Sequence, residues 1–112
     1  MKTPENTEQP KKLVRSVGEI IRQRRSQILV HSCIYYELNE SIISDHQWQA
    51  YAFELALLQA QHPDQCALGF FDKEFENWTG GHGGSHLPIR VPWVMQKAHA
   101  LLRNPSIIKL RS

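Results

Sequence analysis

The chain contains six histidines, two cysteines and a glycine-rich run, and these are the residues whose types suggest chemistry. His82 and His86 stand four apart, with Asp72 and His99 elsewhere. Such histidines bind a metal when a helix aligns them, but Gly83 and Gly84 between them argue against a helix, so no metal site is expected. Backbone amides of Gly80, Gly81, Gly83 and Gly84 are able to wrap a phosphate, yet no Lys-Ser or Lys-Thr follows to complete a phosphate loop. His31 and Cys33 are two apart on a predicted helix and point away from each other, which leaves no nucleophile with a base. Without a secretion signal, Cys33 and Cys66 read as free thiols. Net charge is only +2, but it is unevenly placed. Lys11, Lys12, Arg15, Arg22, Arg24 and Arg25 crowd one stretch, while carboxylates from Glu37 to Glu76 dominate the middle. Arg15, Arg22, Arg24, Arg25 and Arg90 are therefore candidates for contact with a phosphate backbone, and Trp78 and His82 for a protein partner. The plainer alternative is a solvated helix side and a turn-rich loop.

These side chains need elements to position them, and the hydrophobic pattern predicts mainly helices. Met1 to Pro10 is polar and reads as a flexible tail, with one helical domain over 11–112. Leu13, Val17, Ile20, Ile21, Ile28, Tyr35 and Leu38 fall on helical spacing, interrupted by the polar run Arg22 to Gln27. A long first helix is the expectation, with a break near Ser26 as an option. Ser44 followed by Gln47 is a capping box and Ile43 with Trp48 the matching hydrophobic staple, so a second helix starts at Asp45. Its face is Trp48, Tyr51, Ala52, Leu55 and Leu58, and Pro63 stops it by His62. Residues 64–91 hold Phe70, Phe71, Phe75 and Trp78, then the glycines. This is a long aromatic and glycine-rich loop, with one short strand over Cys66 to Phe71 or a hairpin as an option. Pro92 opens a third helix over 92–104, facing inward with Val94, Ala98, Leu101 and Leu102. Ile107 and Ile108 are placed to pack back on the core. The predicted fold is mainly α: a helical hairpin covered by a third helix.

Read as one string, His31-Ser32-Cys33-Ile34-Tyr35-Tyr36-Glu37-Leu38-Asn39-Glu40-Ser41-Ile42-Ile43-Ser44-Asp45, followed by Trp48, Glu54-Leu55 and His62-Pro63, resembles the first subdomain of bacterial NAD-dependent DNA ligases. The similarity covers residues 28–63. That family uses this small helical cap to grip the nicotinamide mononucleotide (NMN) half of NAD, with aromatic rings around the nicotinamide and carboxylates and a histidine on the ribose and leaving group. The resemblance therefore implies Tyr35, Tyr36, Asp45, Trp48 and Gln49 as cofactor-binding residues and NAD or NMN as the ligand. Tyr35 matches the first aromatic and Asp45 the first carboxylate, and Trp48 keeps a flat ring in place of a tyrosine. Tyr36 stands where the ligases usually have histidine, and Gln49 where they have a second aspartate. The remaining half looks like small stand-alone ligase-related proteins, often phage-encoded, that join a similar cap to an aromatic, glycine-rich segment and one more helix.

Ligation needs a lysine nucleophile in a Lys-x-Asp-Gly motif, which this sequence lacks, so a non-catalytic role is expected. Two functions follow. One is a cap-like module that binds a nicotinamide nucleotide or works beside a DNA-processing partner. The other is a phage-type interaction or inhibitor protein that binds a host protein, or makes weak nucleic-acid contact, and keeps the cap as scaffold. The apolar stretches are too short for a membrane span and the start has no apolar signal core, so the expected location is the cytoplasm.

Overall fold

The computed structural model describes residues 16–81 and 83–103. The tail at 1–10, Lys11 to Arg15, His82 and the pair Ile107 and Ile108 lie outside the described residues. Three α-helices form: α1 (Val17–Tyr36), α2 (Asp45–Gln61) and α3 (Pro92–Arg103), with a 3-10 turn at Pro63–Gln65 after α2. The predicted mainly helical fold, a hairpin with a third helix and a long loop, is the one observed.

Helix α1 begins at Ser16 with a full capping box. The Ser16 hydroxyl accepts from the Glu19 N–H at 3.1 Å, and the Glu19 carboxylate accepts from the Ser16 N–H at 2.9 Å. The expected long first helix forms without the optional break, and α1 runs straight through Ser26. The reason is a continuous buried stripe, Ile21, Arg25, Ile28, Leu29, Ser32 and Cys33, in which Arg25 occupies a position where periodicity asks for an apolar residue. The helix ends at Tyr36, with Leu38 and Glu40 donating back to the carbonyls of Cys33 and Ile34. Asn39, at φ 56°, takes the left-handed conformation that reverses the chain.

Three side-chain pairs fix α2 antiparallel to α1. Arg24 meets Glu54 and Arg25 meets Gln59 towards one end, and Trp48 meets Ser32 towards the other. The Ser44 hydroxyl caps α2 by accepting from the Gln47 N–H at 3.0 Å. Tyr51, Ala52 and Leu55 bury its inner face. Helix α3 also packs on α1, through buried Val94 and Ala98 and through Met95, whose sulfur lies 3.3 Å from the Cys33 thiol.

The segment between the 3-10 turn and α3 is a strap held by side chains, and among the described residues no strand forms. The strand option over Cys66 to Phe71 fails for a local reason: the Asp72 carboxylate collects the N–H groups of Leu68, Gly69 and Phe70, the donors a ladder would need. Further along, Phe75 is fully buried and its carbonyl accepts from Gln59, while the Trp78 indole donates to the Ala52 carbonyl at 3.0 Å. Gly80 then crosses α2 so closely that an added Cβ would stand 2.9 Å from the Ala52 oxygen; its φ of +80° also favours glycine.

Candidate functional site

At the end of the hairpin where α1 turns into α2, a cleft of about 340 Å³ opens. Its size lies near the lower limit of small-molecule sites, about 300–1,000 Å³. Helix α1 contributes His31, Ser32, Tyr35 and Tyr36, which its periodicity places on one side. Asp45, Trp48 and Gln49 come from the first turns of α2 at spacings of three and four, and Ser41 to Ser44 form the floor between the helices. Gly83, from the glycine run, closes one edge. The five residues implied by the ligase resemblance thus converge on one cleft. Phe70 and Phe71 pack on Trp93 and Trp78 packs on Phe75, so none of these rings fills it.

The rings in the cleft are unlike those of the core. Tyr35 is 53% and Tyr36 42% exposed, and they meet edge to face with centroids 4.8 Å apart. Trp48 is half-buried, and its indole N–H donates to the Ser32 hydroxyl at 3.2 Å, which fixes the plane of the ring. Gly84 lies directly against this pair. A Cβ there would collide with the Ser32 side chain and come within 3.4 Å of Trp48, and one on Gly83 would meet the Tyr36 hydroxyl at 2.9 Å. These two glycines let the strap close on the hairpin.

Gln49 has a structural partner in the strap: its amide N–H donates to the Gly80 carbonyl at 2.8 Å. An aspartate here would set a carboxylate against a carbonyl oxygen, so the glutamine suits the crossing strap. Asp45, the first residue of α2, is exposed beside the Ser44 cap. His31 forms part of the wall and is only 8% exposed, with its Nδ1 buried and lacking any hydrogen-bond partner. Burial lowers its pKa to about 4, which leaves the imidazole uncharged at neutral pH. His31 was legible as the residue one turn before Tyr35. Gly83 was not, because nothing local ties it to a hairpin so distant in sequence.

The candidate partner residues are scattered. Arg15 and His82 lie outside the described residues. Arg22 is exposed, with its guanidinium 4.0 Å from the Phe70 ring centre, and Arg24 pairs with Glu54 at 2.7 Å. Arg90 pairs with Glu37 at 2.8 Å. Trp78 is buried. Arg25 is 1% exposed and donates to the carbonyls of Phe70 and Cys66, to Gln59 and to Asp72, so its charge serves the interior instead of a surface. Opposing the burial that would raise it, hydrogen bonds from the Gly69 N–H, Arg25, and the N–H groups of Leu68 and Phe70 lower the Asp72 pKa to about 2. Both cysteines are free; burial and nearby Glu37 push the Cys33 thiol up. Among the described residues, no group of His, Cys, Asp or Glu is arranged to hold a metal ion, and no helix is long and apolar enough to cross a membrane.

No family model, curated protein or solved structure matches this chain.

Proposed function

We propose that this protein is a non-catalytic module that binds a nicotinamide nucleotide, NAD or NMN, in the cleft at the turn of its hairpin. The observation that carries the reading is the convergence of Tyr35, Tyr36, Asp45, Trp48 and Gln49 on one open cavity. Exposed aromatic side chains beside a carboxylate suit a flat, positively charged ring and its ribose better than they suit folding, which would bury the rings. The ligase resemblance of residues 28–63 points to the same ligand class. The test is calorimetric titration of the whole chain with NAD and with NMN. Saturable binding is expected, weakened about tenfold by Tyr35→Ala, the loss of one stacking ring, and also weakened by Asp45→Asn. Absence of heat at millimolar ligand, or binding unaltered in both variants, removes the reading.

A second reading, an interaction protein that keeps the hairpin as scaffold, draws on Phe53 and Leu57. These two large apolar side chains lie one turn apart on α2 and are each more than half exposed. It predicts that a purified partner loses affinity for a Phe53→Glu, Leu57→Glu double variant while nicotinamide binding is unaltered. Loss of affinity in Tyr35→Ala instead would return the contact to the cleft.

A further inference from the structure

We propose that the cleft selects the cationic, oxidised nicotinamide head and its ribose and leaves the phosphate of a bound nucleotide in solvent, so that the nucleoside part supplies the affinity. This rests on the reading that a nicotinamide compound occupies the cleft, and it goes further by naming the charge that is recognised.

The charge inventory of the walls carries the argument. Among the described residues, the lining contains Asp45 but neither lysine nor arginine. His31 adds no positive charge at neutral pH, since burial holds its imidazole neutral. The remaining polar side-chain groups are the hydroxyls of Ser32, Ser41, Ser44 and the two tyrosines, the Trp48 indole N–H, which is given to Ser32, and the Gln49 amide, one N–H of which is given to the Gly80 carbonyl. A permanent organic cation finds here what it needs, aromatic faces and one carboxylate.

Among the described residues, a phosphate finds neither of its two usual partners unopposed. One is a basic side chain; Arg90, ion-paired to Glu37 just after the lining Tyr36, has its charge balanced there. The other is a helix N-terminus. The first turn of α2 does border the cleft and keeps the N–H groups of Asp45 and His46, but the Ser44 hydroxyl takes the Gln47 N–H and the Asp45 carboxylate sits on that turn. An incoming dianion would meet a like charge.

The test is calorimetry on the full chain at low salt with four probes: 1-methylnicotinamide, neutral nicotinamide, nicotinamide riboside and NMN. The methylated cation is expected to bind about tenfold more tightly than nicotinamide, and the riboside about threefold more tightly than NMN. Added salt should weaken the cation, and Asp45→Asn, checked for fold by circular dichroism, should narrow both gaps. If NMN binds tenfold more tightly than the riboside, or nicotinamide matches its methylated cation, the inference falls and the nicotinamide reading stands. If a folded protein gives no heat with any probe, both fall.

Discussion

Helix α1 carries two polar clusters along one rod, and they are built on opposite principles. Around Arg25 the interior is charged but complete: the guanidinium has four acceptors, and Asp72 returns the charge while gathering three backbone N–H groups. Around His31, less than two turns further along, the walls carry exposed rings, an unpartnered buried nitrogen and a carboxylate open to solvent. Folding alone explains the first, since a buried charge persists only when paired and hydrogen-bonded. It does not explain the second, because aromatic surface left open and polar groups left single cost stability without return. The difference separates a structural hub from a candidate binding site.

The largest expected effect tests the hub. Arg25→Ala removes the donor to two carbonyls, Gln59 and Asp72 together, and should cost about 3 kcal/mol, read as a lowered urea midpoint. A loss near zero would place the strap's anchorage elsewhere. Arg25→Lys should recover only part, because one ammonium cannot reproduce the planar fork of donors.

Changing pH perturbs the two clusters in separate windows. His31 has its folded pKa lowered from 6.5 to about 4, so the unfolded chain takes up its proton first. Its contribution is full above pH 6.5 and lost as pH falls towards 4. Asp72, lowered from 3.8 to about 2, contributes fully above 3.8 and loses that contribution as pH falls towards 2. Urea midpoints measured across this range should therefore decline in two stages. His31→Gln should flatten the upper stage and Asp72→Asn the lower. A single stage shared by both variants would mean that the clusters are one coupled network.

How much of this was legible follows the range of each signal. The ends of α2 and the start of α3 were readable because their signals are local: Ser44 caps within three residues, and Pro63 and Pro92 restrict the backbone beside them. Arg25 was not readable. Its acceptors on Cys66 and Phe70 lie 41 and 45 positions away, so a periodicity count saw only a basic surface run and the option of a helix break. The optional short strand at Cys66 to Phe71 is absent for a local reason instead, because Asp72 captures the N–H groups that a ladder would need. In the cleft, the α1 and α2 residues were visible as a motif. The contribution of Gly83 depends on where the strap lands.

Where it lands is open to a smaller perturbation. Gly84→Ala introduces a Cβ into the Ser32 side chain, and the resulting overpacking should cost about 1–2 kcal/mol in thermal melting. It should also displace Trp48, the neighbour on the other side, so Trp fluorescence should shift even without ligand. Gly81→Ala is the control, since only the Thr79 hydroxyl, 3.5 Å away, approaches its added carbon. Equal losses in the two variants would mean that the glycines act through chain flexibility and not by allowing contact.

The smallest effect bears most directly on the comparison. Asp45 lies in the first turn of α2, where a carboxylate interacts favourably with the helix dipole, so Asp45→Asn should reduce stability by only about 0.5 kcal/mol. Its exposed position and the intact Ser44 cap keep the loss that low. A residue of the hub behaves in the reverse manner, costing folding first. If Asp45→Asn lowers the urea midpoint as much as Arg25→Ala does, the open end of the hairpin is structural and the distinction between the clusters collapses. If stability barely moves while affinity for a nicotinamide cation drops, the carboxylate is held at the cleft for a ligand.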